Sequence, residues 1–149
     1  GKLLVVCFLT LVTVMAFGQF AAESSIDWGM SADDVRILLN QASNHIEEES
    51  GERNTFEEKE LEAGGVVFVL DTYGENKFMY WFDDTGLYSI SWLYLQDPMM
   101  ADFERRELTK KFGPADFESR WGYEWWEDDF RAELSIYDTY YSVTYWREE

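Results

Sequence analysis

The sequence predicts an α+β domain: an antiparallel sheet of six to seven strands with two helices on one face. Three observations carry that expectation. Two segments begin with helix-start signals and continue with apolar residues at helical spacing. The segments between and after them are short β-branched and aromatic runs separated by Asp- and Gly-containing turns, which favours hairpins over long crossovers. Finally, 7 Trp, 9 Tyr and 11 Phe among 149 residues supply a core that needs neither disulfide nor metal. The order of helix, strands, helix, strands also suggests a tandem helix-plus-β-meander repeat, with halves 26–95 and 97–147.

The first helix is expected over 32–43. Ser31 is a favourable N-cap, with Asp34 three residues on. Met30 and Val35 stand at the positions of a hydrophobic staple, and Val35, Leu38, Leu39 and Ala42 form one apolar stripe. His45 to Arg53 reads as an acidic loop. An edge strand over 54–62 carries charges that discourage pairing with another chain. Strands follow over 66–72, 77–82 and 87–95, separated by turns at Tyr73–Asn76 and Asp83–Gly86.

Asp97 and Pro98 open the second helix, and Gly113-Pro114 closes it. Its apolar face is read as Met100, Ala101, Phe103, Leu108 and Phe112. Three last strands are expected over 117–126, 130–137 and 140–146, with turns at Asp128-Asp129 and Asp138-Thr139.

Strand alternation raises a question about the second sheet face. In 87–95, Tyr88, Ile90, Trp92 and Tyr94 oppose Leu87, Ser89, Ser91, Leu93 and Leu95. In 117–126, Trp121, Tyr123 and Trp125 share a face, while Trp126 points to the other. Two helices cover one face, so the aromatics on the other face either cap a twisted sheet or form a contact surface. Trp121, Tyr123, Trp125 and Trp126 are therefore the candidate residues for binding a ligand or partner.

The N-terminus reads as an export signal. Lys2 precedes an apolar run, and Ala16-Phe17-Gly18 is a small-x-small cleavage site, giving a signal peptide over 1–18 and a domain over 19–149. The alternative is an N-terminal membrane anchor, since Leu3 to Ala22 carries no charge. Cys7 is the only cysteine, so cleavage would leave a chain without disulfides, as is ordinary in a periplasm. A periplasmic or secreted location follows, with no membrane insertion after cleavage.

With 12 Lys and Arg against 30 Asp and Glu, the net charge is −18. That sign opposes nucleic-acid binding, which needs clustered cations, and favours a basic protein partner.

The opening Trp28-Gly29-Met30-Ser31, with Val35 four residues after Ser31, resembles the Gly-Met-Ser/Thr-x-x-x-Val start of the SmpA/BamE outer-membrane-assembly lipoproteins. It is similar also to the tandem units of secreted beta-lactamase inhibitor proteins. Members of these families often close the helix with Leu-Gly-x-Pro. The first helix here lacks that ending; Lys111-Phe112-Gly113-Pro114 in the second comes closer, and no lipid-anchor cysteine follows the signal. The resemblance implies an exported, non-catalytic interaction domain with a helix followed by antiparallel strands.

The residues themselves offer little for catalysis. His45 is the only histidine, Cys7 lies in the signal, and no Gly-x-Ser-x-Gly occurs. A non-enzymatic role without cofactor or structural metal is expected. The main expectation is a domain that binds another protein, or a second copy of itself as a homodimer. The alternative is a small-ligand binder. Aromatic rings would stack on carbohydrate, or calcium would sit among Glu47, Glu48, Glu49 and Glu52 or at the Asp83-Asp84 and Asp128-Asp129 turns.

Overall fold

The computed structural model describes residues 26–51, 56–71, 77–95 and 98–148. The segment 1–18 read as a signal, the turn expected at 73–76, the cap expected at Asp97, and Glu52 lie outside the described residues. The fold is α+β, with helix α1 (Ala32–Ser50), strands β1 (Phe56–Glu60), β2 (Val66–Asp71), β3 (Lys77–Asp83) and β4 (Gly86–Leu95), helix α2 (Pro98–Phe112), and strands β5 (Phe117–Ser119), β6 (Gly122–Trp126), β7 (Phe130–Ile136) and β8 (Tyr140–Arg147). All eight strands form one antiparallel sheet in the order β1-β2-β3-β4-β8-β7-β6-β5. Each helix thus precedes four strands, and the two four-stranded runs meet where β4 pairs β8.

The count of eight corrects the expected six to seven. The segment 117–126 is not one strand but a hairpin, with Ser119 opposite Gly122 and only Arg120-Trp121 between them. A Cβ on Gly122 would stand 2.0 Å from the Leu134 carbonyl oxygen, so only glycine lets β6 approach β7 there.

Ser31 caps α1 as expected, its Oγ accepting from the Asp34 N–H at 3.1 Å. The helix runs on past 43 to Ser50, through residues 45–50 that composition had placed in a loop. Its stop is Gly51 at φ 76°, whose N–H donates to the Glu47 carbonyl. Glutamate has good helix propensity, and a left-handed glycine is a stronger boundary signal than an acidic run.

Both helices pack on one sheet face. Val35 and Leu39 of α1 and Ala101 and Leu108 of α2 join a buried cluster with Phe68, Phe78, Tyr80, Trp92, Tyr141 and Tyr145. From α1, the Arg36 guanidinium lies 5.4 Å from the Phe68 ring centroid and pairs with Glu58 of β1. From α2, Phe112 meets the rings of Phe130 and Tyr145.

A bulge at Trp81/Phe82 shifts the β3–β4 register, placing Leu87 opposite Phe82 and Ser89 opposite Trp81. Leu87 therefore enters the core instead of sharing a face with Ser89 and Ser91, as strict alternation had it. The chain entering α1 is tied to the same place. Gly29 N–H donates to the Leu87 carbonyl at 3.0 Å, and Leu87 N–H donates to the Met30 carbonyl at 2.8 Å.

The outer strands resist further pairing. β1 reads Phe-Glu-Glu-Lys-Glu, and β5 is three residues long.

One buried place on α2 is taken by an acid. Phe103, read as apolar face, is exposed, and Glu104 is 7% exposed. Ala101, Glu104 and Leu108 follow the i, i+3, i+7 stripe, and Phe103 lies off it. Burial, reinforced by the Glu107 charge and partly offset by Lys111, pushes the Glu104 carboxyl up to about 7.

Two stability predictions follow from these contacts. Gly86 has φ 93°, and a Cβ there would meet the Gly29 carbonyl oxygen at 2.3 Å. Gly86→Ala should cost at least ~2 kcal/mol in denaturant unfolding. Gly64→Ala, with φ 87° and nothing within 4 Å, should cost only about 1 kcal/mol.

For Glu104, a carboxyl raised on folding means the native state binds the extra proton. Its contribution is neutral below the ordinary carboxylate range, turns unfavourable as pH rises toward 7, and stays so above. Glu104→Gln should match the parent near pH ~4 and exceed it by about 2–3 kcal/mol at pH ~8, read by urea titration at each pH.

Candidate functional site

The sheet face opposite the helices is the candidate site. Its side chains follow from register. The aligned pairs Trp126↔Arg131, Arg131↔Trp146, Trp146↔Ser89 and Ser89↔Trp81 make one row across β6, β7, β8, β4 and β3. Three tryptophans thus alternate with an arginine and a serine along a line perpendicular to the strands. The next row holds Glu124, Glu133, Thr144 and Ser91, and the one after it Gly122, Ser135, Ser142 and Leu93. No described helix lies over these rows.

Among the described residues, this face carries a central and an outer depression. The central one, about 210 Å3, lies over the β4–β8 pairing between Trp81, Trp146, Tyr137 and Tyr140, with the hydroxyls of Ser91, Ser142 and Thr144 along its lining. Trp81 is fixed by its Nε1–H, which donates to Ser91 Oγ at 3.0 Å. Tyr137 and Tyr140 stack on each other with centroids 4.4 Å apart. The second, about 80 Å3, lies on the outer strands among Phe117, Ser119, Trp121, Glu124, Glu133 and Ser135.

The four residues singled out from sequence do not come together. Trp125 is fully buried on the helix-covered face, its Nε1–H donating to the Gly113 carbonyl at 3.0 Å. Tyr123 shares that face, with the Arg105 guanidinium of α2 5.8 Å from its ring centroid. Both belong to packing. Trp121 leaves their face because it sits in the β5–β6 turn, where it is 60% exposed. Trp126 stands on the open face at 56% exposure, its Nε1–H donating to Glu124 Oε2 at 3.0 Å. Trp125 and Trp126 do point to opposite faces, as alternation requires.

Sequence reasoning passed over Trp81, Tyr137 and Tyr140 as contact residues. The signal was present in β3, where Met79 and Trp81 alternate with the core residues Phe78, Tyr80 and Phe82.

The polar atoms of the first row are poorly satisfied. Arg131 Nε, Trp146 Nε1 and Ser89 Oγ are shielded from solvent and form no hydrogen bond among the described residues. Arg131 instead places its guanidinium 5.9 Å from the Trp146 ring centroid. Unsatisfied buried groups cost stability, and here three stand side by side on one row.

Among the described residues no group of three or more His, Cys, Asp and Glu is placed to hold a metal ion. The Asp83 carboxylate accepts from the Thr85 N–H and Oγ1–H, which holds it below the usual carboxylate range. That is the chemistry of a closed turn. No described helix is long and apolar enough to cross a membrane.

The class so defined is a one-sheet α+β domain with one face under helices and the other presenting aromatic rows to solvent. No family model matches this chain, and no curated protein or solved structure shows detectable similarity to it.

The two adjacent tryptophans offer a direct check on the face assignment. Trp125→Ala should cost about 3–5 kcal/mol in denaturant unfolding, from the lost burial and the orphaned Gly113 carbonyl. Trp126→Ala should change stability by less than about 1 kcal/mol.

Proposed function

We propose that this is an exported, non-enzymatic interaction domain that binds another protein through the open sheet face. One observation supports this above the rest: among the described residues, the sheet face without helix cover carries Trp81, Trp126 and Trp146 in one row, with Tyr137 and Tyr140 beside the central depression. Aromatic residues give large contact area at low conformational cost and dominate contact energies. The net charge of −18 would draw a basic partner and speed encounter. The short opening motif, with its resemblance to the assembly-lipoprotein and inhibitor-protein families, agrees with a non-catalytic role, as does the scarcity of nucleophile and base pairs. The leader over 1–18 supports a periplasmic or secreted location. The partner in this reading is a different, basic protein or a second copy in a homodimer, and light scattering at low and high salt separates the two.

A second reading rests on the central depression. Rings of Trp81, Trp146 and Tyr140 beside the hydroxyls of Ser91, Ser142 and Thr144 would also suit a carbohydrate, with stacking on the rings and hydrogen bonds from the hydroxyls.

Salt and two exposed positions separate these readings. A basic protein captured on the immobilised domain should elute as salt rises and screening shortens below about 8 Å. A stacked glycan should respond little. Trp126→Ala with Tyr137→Ala should abolish capture of the protein, whereas Ile37→Ala, on the outer side of α1, should leave it unchanged. Equal capture by both variants would overturn the assignment of the open face.

A further inference from the structure

The outer cleft on β5–β7 has a composition that the general reading of an aromatic face does not explain. Glu124 and Glu133 are directly opposite each other across β6 and β7. Like charges at such a pair destabilise a sheet, so their presence costs stability unless something cationic meets them. Among the described residues neither carboxylate enters an ion pair. Each accepts from one neutral donor: Glu124 from Trp126 Nε1–H at 3.0 Å and Glu133 from the Ser135 hydroxyl at 2.6 Å. These bonds orient the carboxylates and leave most of their lone pairs open.

The walls of the cleft are aromatic. Phe117 is 51% exposed and Trp121, as noted, more so. The turn that carries Trp121 is pinned at both ends. Its N–H donates to Ser119 Oγ at 3.1 Å, and its carbonyl accepts from the Ile136 N–H at 2.8 Å. The ring is therefore presented by a fixed backbone. Its chemistry is already on display, because the Arg120 guanidinium lies 4.4 Å from the Trp121 centroid.

Resting on the reading that the open face binds protein, we propose that the cleft between Phe117 and Trp121 receives an arginine side chain of the basic partner, with Glu124 and Glu133 as its anionic acceptors. A hydrated metal ion fits poorly, since only two carboxylates are present and the walls are apolar. A guanidinium is flat, weakly hydrated and forked, so it stacks on a ring while donating to carboxylates at its edge. A space of about 80 Å3 suits a side-chain head group and not a whole ligand.

The test titrates N-acetyl-arginine amide into the 15N-labelled protein at constant ionic strength and follows the indole N–H signals. The Trp121 and Trp126 signals should move saturably. N-acetyl-citrulline amide, the neutral isostere, should leave them still. Glu124→Gln with Glu133→Gln should weaken the arginine response about tenfold or more while keeping a dispersed, folded spectrum. An equal response to the citrulline amide or to N-acetyl-lysine amide, or an unchanged response in the double variant, would overturn the proposal. The two readings fail separately. Loss of partner capture in the Trp126→Ala, Tyr137→Ala variant without any arginine response removes the cleft and keeps the open face. An arginine response with partner capture untouched by that variant keeps arginine binding at the cleft and removes Trp126 and Tyr137 as the partner's contacts.

Discussion

The pairing of β4 with β8 is the contact on which the rest depends. Each four-stranded run would otherwise end in an open edge, β4 in one and β8 in the other. Joining the two edges satisfies both at once and leaves as outer strands only the charged β1 and the three-residue β5. The same pairing builds both sheet faces. Toward the helices it sets Ile90 against Tyr145, Trp92 against Val143 and Tyr94 against Tyr141, the last two rings stacked at 4.7 Å. Toward solvent it sets Ser89 against Trp146, Ser91 against Thr144 and Leu93 against Ser142, which is the floor of the central depression.

The open face runs against the interests of stability. It holds unsatisfied atoms on Arg131, Trp146 and Ser89, a like-charge pair at Glu124 and Glu133, and large rings in water. The helix-covered face is nearly all ring and aliphatic packing. Its departures include the buried carboxyl of Glu104 and the shielded Tyr94 hydroxyl and Trp28 Nε1–H, which make no hydrogen bond among the described residues. Local rules bend most often where a surface is kept for something other than folding, and on the open face the shielded atoms, the like-charge pair and the exposed Trp126 ring fall on two adjacent rows.

Much of this was legible in the sequence because it is set by local chemistry. Ser31 as a cap, Gly113-Pro114 as a stop, and the Asp-rich turns at 83–86, 128–129 and 138–139 all act over a few residues. The misreadings share a different origin. The Ser119–Gly122 hairpin carries neither Asn-Gly nor Asp-Gly, and its necessity appears only once Gly122 meets the Leu134 carbonyl. The Trp81/Phe82 bulge inverts the facing of Leu87 for a reason that lies in its neighbours across the sheet. So the four proposed site residues were divided, Tyr123 and Trp125 to the core and Trp121 and Trp126 to the surface. Element existence was readable, whereas the facing of residues next to an irregularity was set by tertiary contacts.

The β4–β8 seam has a consequence for how the chain reaches its fold. Every other strand pair joins sequence neighbours across a short connection. Only the seam closes a long loop, through α2 and three strands, so it carries the largest entropic barrier and forms after the local hairpins. Until it closes, β4 and β8 are bare, complementary edges. A β8 from another molecule offers β4 the same hydrogen bonds and the same side chains as its own. Refolding at high concentration therefore favours a domain-swapped dimer, in which the front half of each chain is completed by the back half of the other and the native seam is made twice between molecules.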